Sequence, residues 1–468
     1  MATFSIENFG CRATEADTAA LRHGLLAGGL LLADDQSSAD LVVLNTCTVT
    51  GAADSQTREA VRKIHRANPA ARIIVTGCYA QRAPEELAAL EGVTWVIGNS
   101  HQTEIPGVAA ELLGRSSQPI SRASQVEQKD FVPVSLLGDD QMSLARGPAK
   151  ILTGDIFAQT SVQIAPTEVG EGDRTRPVLK IQDGCNNRCA YCVIPFVRGR
   201  SRSLPPPVVI AEVQKLVAAG SREIVLSGIN LGAYGRDLSP RAGLSDVIQR
   251  ILRETSLEQL RLSSIEPQDV TEELISLIAR SPRVAAHFHV PLQSGSDRIL
   301  RAMHRWYRAA HYAERVERIR QISPDAAIGA DVIAGFPGET DEDFQATYEL
   351  IERLPFTYLH VFSFSGRPGT EGANLPASVP AAIIRERART LRALARKKSS
   401  EFRSAQAGRV FRALTLVGGE GIWTPALTAN YLKVRIPGRL RANEWHETPI
   451  FSVETLMEDW SPPASFRK

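Results

Sequence analysis

Apolar and polar residues follow two alternating rhythms along this chain. The short runs TFSIENF, LVVLN and RIIVT are rich in β-branched and aromatic residues and end just before Cys11, Cys47 and Cys78. Such runs predict strands, with each cysteine just past a strand end. Behind each cysteine a helical period follows, over about 15–27, 54–67 and 84–90, the last with proline near its first turn. Strands alternating with helices predict βαβ units and an open parallel sheet, whose strand carboxyl ends line the functional crevice. Residues 1–114 therefore form a predicted N-terminal α/β domain.

From 115 to 172 the periodicity loosens into a polar linker or elaborated connection. A longer alternation then runs over 173–402. Strand-like runs fall at 178–182, 223–227, 259–264, 287–291, 328–333 and 358–364, with amphipathic helical stretches such as 207–219, closed by Gly220, and 341–353 between them. Six βα repeats predict a partial parallel (β/α)6 barrel with its active face at the strand carboxyl ends. In 403–460 the runs VFRALTLV, WTPALT, NYLKVRI and TPIFSV, separated by glycine and proline turns, predict a small antiparallel β-barrel.

Composition changes little in this picture: 468 residues, 43% apolar and 23% charged, are ordinary for a globular chain of about three domains. The absence of a long apolar run and of a basic-then-apolar N-terminus predicts no membrane span and no secretory signal, hence a cytoplasmic protein. Charge is more informative when divided. Residues 381–402 carry seven basic and two acidic side chains and residues 403–468 carry nine and six, so the last 88 residues hold +8 of a total of +2, leaving −6 for the rest. A basic concentration is the electrostatic footprint of nucleic-acid binding, although basic helices also serve merely as solvated faces.

Six cysteines are too few for a disulfide scaffold, so their placement is read as metal or redox chemistry. Cys185, Cys189 and Cys192 form C-x3-C-x2-C after the first barrel strand. Three thiolates on one loop can hold three irons of a 4Fe-4S cluster and leave the fourth iron open to a small chelating molecule. Zinc is the rival, but a structural zinc takes four protein ligands, and neither a histidine nor a fourth cysteine lies at the required spacing. Cys11, Cys47 and Cys78, separated by 36 and 31 residues, can converge on one sheet edge. The alternative for them is three independent apolar fillers at strand ends. Gly10 and Gly77 would let the backbone approach a bound group closely.

These residues carry a resemblance. The C-x3-C-x2-C loop in a six-repeat barrel resembles the radical S-adenosylmethionine superfamily. The dispersed cysteines and basic tail, with NTCTVTGAAD followed by Arg58 and Arg62, NPAARIIVTGCYAQ, LSGINLGAYG, PLQSGSDRILRAMHRWY, GADVIAGFPGETDEDF and HVFSFSGRPGT, narrow it to the methylthiotransferases. The likeness covers nearly the whole chain outside 115–172. It is greatest to the branch that converts threonylcarbamoyladenosine, at tRNA position 37 beside the anticodon, to its 2-methylthio derivative. One departure is Thr14, where the family commonly has asparagine.

The resemblance implies two 4Fe-4S clusters and S-adenosyl-L-methionine as cofactors. Cys185, Cys189 and Cys192 would hold the radical-generating cluster, at which one electron cleaves S-adenosylmethionine to a 5′-deoxyadenosyl radical. Cys11, Cys47 and Cys78 would hold an auxiliary cluster carrying the sulfur to be inserted. It also implies a tRNA anticodon stem-loop as partner, an electron donor such as flavodoxin or ferredoxin, and a C-terminal RNA-binding barrel of the TRAM type. Candidate cofactor-positioning residues at strand ends are Asn230, Glu266, Gln293 and Asp331, with loop or capping roles as the alternative. Arg198 is assigned either to the cofactor carboxylate or, with Arg200 and Arg202, to tRNA phosphate. Tyr191 and Pro195 would pack on adenine or on the barrel, and Trp423, Tyr431 and Trp445 are candidates for stacking on nucleotides, with core packing as the expected role of at least one. The runner-up substrates are isopentenyladenosine in tRNA and a ribosomal-protein aspartate. A different class altogether is a non-catalytic iron–sulfur RNA-binding protein, against which stand the two open coordination sites.

Overall fold

The computed structural model describes residues 2–114, 149–163, 175–418 and 422–450. Six parallel strands open the chain: β1 (Thr3–Phe9), β2 (Leu31–Leu32), β3 (Leu41–Thr46), β4 (Arg72–Gly77), β5 (Val93–Gly98) and β6 (Lys150–Leu152), in the order β2-β1-β3-β4-β5-β6. β3 is buried at every position, as expected of a central parallel strand covered on both faces. Its alternate residues serve two cores. Val42 and Leu44 pack with Val61 and Ile64 of helix α2 (Gly51–Ala67), while Leu41 and Val43 pack with Leu21 and Leu25 of helix α1 (Arg12–Ala27). The sequence placed β6 inside the connection after 114, yet it pairs with β5 as the last strand of this sheet, so the domain extends beyond 114. A three-residue strand carries too short a period to be seen before its partner is known. The remainder of the expected connection lies outside the described residues, apart from a stretch up to Gln163.

The predicted strands of the second alternation are β7 (Val178–Asp183), β9 (Glu223–Gly228), β10 (Gln259–Leu262), β11 (His287–His289), β12 (Ala327–Ala334) and β13 (Tyr358–Ser363). A two-residue antiparallel strand, β8 (Arg202–Ser203), lies beside β7. They form two sheets, β10-β9-β7-β8 and β11-β12-β13, joined at Leu260 and Val284 by a parallel bridge. This is the expected partial barrel. Leu179, Ile181, Ile224, Leu226 and Leu260 point outward into the largest apolar core, under helices such as Pro206–Ala218 and Leu244–Glu254. The alternate residues, among them Lys180, Gln182, Glu223, Arg261, His287, His289 and Asp331, give the inner wall its polar and charged groups.

Helix Ala381–Ser404 packs on β13 and leads into β14 (Val410–Thr415), β15 (Trp423–Thr428), β16 (Lys433–Pro437) and β17 (Trp445–Pro449). These make an antiparallel half-barrel in the order β16-β15-β14-β17 around Ala413, Ala426, Leu432, Val434 and Ile450. The last strand begins earlier than the expected TPIFSV run, whose end lies outside the described residues. Among the described residues no helix is long and apolar enough to cross a membrane.

The tail is anchored to the barrel. Arg261, fully buried on β10, donates to Glu223 of β9 at 2.7 Å and to the carbonyls of Thr428 and Ala429, each at 3.0 Å. Beyond these carbonyls Tyr431, at φ 64°, stacks on His287 with ring centroids 4.4 Å apart. The loop between β15 and β16 thus closes the barrel at the amino-terminal ends of its strands.

Candidate functional site

The first cysteine set sits where the strand pattern predicts it. Cys11 precedes α1, Cys47 follows β3, and Cys78 follows β4 and opens helix α3 (Cys78–Arg82). Because β1, β3 and β4 are neighbours, one sheet edge collects all three thiols. Gly77 has φ +97°, and a Cβ there would come within 2.4 Å of the Thr46 carbonyl oxygen, so the close approach it allows is to the adjacent strand. The Val49 N–H donates to Cys47 Sγ at 3.5 Å, and Asn99 Nδ2 donates to Cys78 Sγ at 3.6 Å. Thr14, the departure from the family pattern, is buried. Its hydroxyl donates to the Cys11 carbonyl at 2.8 Å, and its own carbonyl accepts from Asn45 Nδ2 at 2.8 Å, so Thr14 supplies local hydrogen bonds of its own beside Cys11.

The second set lies on the loop after β7. Gly184 turns the chain at φ +68°, where a Cβ would collide with the Arg200 carbonyl oxygen at 2.0 Å. The Asn187 N–H donates to Cys185 Sγ at 3.4 Å, and Asn230 Nδ2 lies 3.9 Å from the same sulfur. Arg305 Nη1 donates to Cys189 Sγ at 3.4 Å and to Glu266 at 3.2 Å, coupling a predicted positioning residue to a predicted ligand.

Both sets have the chemistry of cluster ligands, and all six cysteines are free. Burial, followed by the repulsion of neighbouring thiolates, pushes Cys47 and Cys192 up to about 12. Cys78 and Cys185 are raised for the same first reason, Cys78 also by Cys11 and Cys185 also by Cys189. Each set is close enough for its members to oppose one another's ionisation. Three such thiols can all be thiolates only around a cationic centre, and N–H donors already point at four of the sulfurs. The residues present fit two iron–sulfur groups.

The two sets are clamped together. Helix Ile194–Arg198, directly after the second loop, packs on α3, with Val193 and Val197 against Cys78. Asn99 Nδ2 also donates to the Val197 carbonyl at 2.8 Å. Arg198, 2% exposed, donates to Asp17 of α1 at 2.7 Å and to Asp183 of β7 at 3.1 Å, and its charge acts on Cys78. Lys180 bridges the same two carboxylates, Asp17 and Asp183, the latter at 2.9 Å. Arg198 therefore faces no solvent-borne phosphate; it neutralises buried carboxylates beside the first cysteine set. Arg202 leans the same way, 3.4 Å from Asp183, while Arg200 is exposed.

The remaining candidates fall on the inner wall. Asn230 is buried with its Oδ1 unpartnered by protein. Gln293, at φ 65°, exchanges backbone hydrogen bonds with β12 at Asp331 and Ile333. Asp331 accepts from His289 Nε2 at 3.0 Å and His360 Nδ1 at 3.2 Å. Burial alone would raise this carboxyl, but the two imidazole hydrogen bonds hold it well below the usual carboxylate range. Tyr358 Oη bridges His289 Nδ1 at 3.0 Å and His287 Nε2 at 2.7 Å. Tyr191 packs with Phe336 and Phe364, and Pro195 is buried. Of the stacking candidates, Trp423 is 42% exposed, Trp445 lies under the Arg412 guanidinium at 4.3 Å, and Tyr431 faces the barrel. Sequence reasoning passed over Arg12, Asp17, Lys180, His289, Arg305 and His360. The two inward histidines of HFH, spaced by two on a strand, were the available signal for His289.

Comparison with known proteins agrees with this geometry. A family profile described as "Uncharacterized protein family UPF0004" matches residues 3–98, and one described as "Radical SAM superfamily" matches 179–351. A protein of Aquifex aeolicus named "Threonylcarbamoyladenosine tRNA methylthiotransferase MtaB" is 36% identical over 93% of this chain and 96% of its own. Its namesake in Bacillus subtilis is 34% identical over 94% and 91%. This chain belongs to the radical S-adenosylmethionine methylthiotransferases. Membership gives it one 4Fe-4S cluster and S-adenosylmethionine as cofactors. The methylthiotransferase family also includes a Thermobifida fusca protein named "tRNA-2-methylthio-N(6)-dimethylallyladenosine synthase", 34% identical over 90% of this chain and 78% of its own. Among solved structures, the radical S-adenosylmethionine methyltransferase TsrM from Kitasatospora setae shares the fold, with TM-score 0.53 and 17% identity over 78% of this chain and 75% of its own.

Proposed function

We propose that this protein is a tRNA methylthiotransferase that converts threonylcarbamoyladenosine beside the anticodon to its 2-methylthio derivative. The observation that carries the reading is the joining of two three-cysteine sets by one buried ion network, within a chain whose relatives from Aquifex aeolicus and Bacillus subtilis bear that activity in their names. Cys185, Cys189 and Cys192 would hold the family's cluster, and Cys11, Cys47 and Cys78 a second one. When bound, these groups and S-adenosylmethionine supply radical cleavage of a C–H bond and the sulfur that replaces the hydrogen.

The chain's own residues set the stage. Asn230 and Arg305 direct N–H groups at Cys185 and Cys189, the kind of sulfur hydrogen bond that tunes a cluster's potential. Arg198 and Lys180 fix the spacing of the two sets and neutralise Asp17 and Asp183 in a dry interface. Cys47 and Cys78 are buried, whereas Cys11 is exposed and the second set is half-buried, so the two sets remain accessible to cofactor and substrate. The basic helix Ala381–Ser404 and the half-barrel supply positive charge for the phosphates of an anticodon stem-loop. A small reductant such as flavodoxin or ferredoxin would deliver the electron, in the cytoplasm.

Mass spectrometry of tRNA nucleosides from a strain lacking the gene tests the assignment. Loss of the methylthio-threonylcarbamoyl nucleoside is expected. Its persistence alongside loss of another methylthio nucleoside would overturn the substrate while leaving the chemistry.

A further inference from the structure

The barrel interior carries more positive charge than its own carboxylates answer. Glu223 on β9 is fully buried and engaged twice, by Arg261 at 2.7 Å and by Arg176 at 3.2 Å. Beside them Tyr431 stacks on His287 and lies 5.3 Å from Tyr358, with the Arg261 guanidinium 5.5 Å from its ring. α1 packs along β7 and β9 from the other domain, held there by the bond that the inward-facing Lys180 donates to Asp17. The first residue of that helix is Arg12, half-buried and next to Cys11. Among the described residues no hydrogen bond or ion pair engages Arg12, although its neighbours feel its charge. Burial would raise the Tyr431 hydroxyl, yet Arg12, Arg176, Lys433 and Arg261 together draw it below its usual value. Burial lowers His287, and Arg261 and Arg12 lower it further. A half-buried guanidinium at the start of a helix that packs on β7 and β9, its charge reaching Tyr431, His287 and Tyr358, offers a cationic partner to a carboxylate.

The proposed substrate carries one. Its N6 substituent ends in a threonine carboxylate, which an isopentenyl group lacks. We propose that Arg12, backed by the Tyr431–His287–Tyr358 wall, is the specificity residue that binds the threonine carboxylate of the substrate base. This rests on the functional reading above and extends it, because it makes the residue beside one cysteine ligand the reader of the substituent. It also explains why a loop of the C-terminal domain enters the barrel: Tyr431 completes the wall.

The test uses the reconstituted full-length enzyme and two synthetic anticodon stem-loops. One carries threonylcarbamoyladenosine and the other its threonine methyl ester, identical in size except for the masked charge. Wild type is expected to favour the acid over the ester in kcat/KM by about 10- to 100-fold, the usual range for a hydrogen bond to a charged group. In Arg12→Gln this preference collapses towards unity through loss on the acid alone, and Arg12→Lys restores part of it. A preference unchanged in Arg12→Gln overturns the proposal. So does an equal loss on both substrates, which would place Arg12 on RNA phosphate or in support of Cys11. If wild type turns over neither stem-loop, the functional reading fails; that outcome is distinct from an active wild type whose preference survives the substitution.

Discussion

Asp17→Asn tests the buried network that joins the two cysteine domains. Asp17 is 1% exposed and accepts from Lys180 Nζ and from Arg198 Nη2. In the variant only Asp183 remains to answer two buried cations, so one positive charge is left uncompensated. Removing one partner of a buried pair costs ~3–5 kcal/mol, a large part of the ~5–15 kcal/mol that stabilises a typical domain. With a urea dependence of ~1–3 kcal/mol per molar, the unfolding midpoint of the loaded protein should fall by at least about 1 M. Far-ultraviolet circular dichroism and visible cluster absorbance, followed together, report whether the clusters are lost in the same transition. The double variant Asp17→Asn/Lys180→Met removes the excess charge and should recover a substantial part of the loss. A midpoint within about 0.3 M of wild type, or a double variant no better than the single one, would refute the reasoning. The same network predicts an acid limit. Burial favours the neutral form of Asp183, but Lys180, Arg198 and Arg202 hold it well below the usual range. A depressed folded value contributes stability that is present above the unfolded value of about 3.9 and is lost as pH falls below it. Stability should therefore decline below about pH 4.

Three further outcomes follow from the geometry. Cys189→Ala should lower iron from about eight to about four per chain and abolish S-adenosylmethionine cleavage, whereas Cys47→Ala should lose the same iron and keep cleavage; iron analysis and 5′-deoxyadenosine release check both. Gly77→Ala forces φ +97° on an L residue and drives a Cβ to 2.4 Å from Thr46, so a loss of more than ~1–3 kcal/mol, with reduced occupancy at the first cysteine set, should appear in denaturation and iron content. Arg261→Met removes both the bond to Glu223 and the hold on Thr428 and Ala429, and limited proteolysis should then cut faster between the helix Ala381–Ser404 and β14.

Strands, cysteine sets and barrel were legible in the sequence because each depends on short-range pattern. A strand end followed by cysteine repeats three times, and β12 and β13 lie almost where their apolar runs predict. The partners of charged residues were not legible. Lys180 sits in VLKIQD, a run whose period gives its inward direction but not the Asp17 carboxylate 163 residues away that meets it. Arg198 was assigned to the cofactor carboxylate or to tRNA phosphate because VRGRSRS carries no mark of burial; it is buried because α3 and α1 of another domain cover it. Tyr431 was one of three candidates for stacking on nucleotides, at least one of which was expected to pack in a core, and nothing local says that its loop enters a barrel.

That loop also bears on how the molecule is made. The carbonyls of Thr428 and Ala429 and the ring of Tyr431 come after every barrel strand in the chain, yet they meet Arg261 on β10 and His287 on β11. During synthesis the barrel strands leave the ribosome long before this plug does, and domains fold in the order in which they emerge. The nascent barrel must wait with a charged, wet floor until the loop between β15 and β16 has been made, so completion of its interior is timed by a segment synthesised after all of its strands.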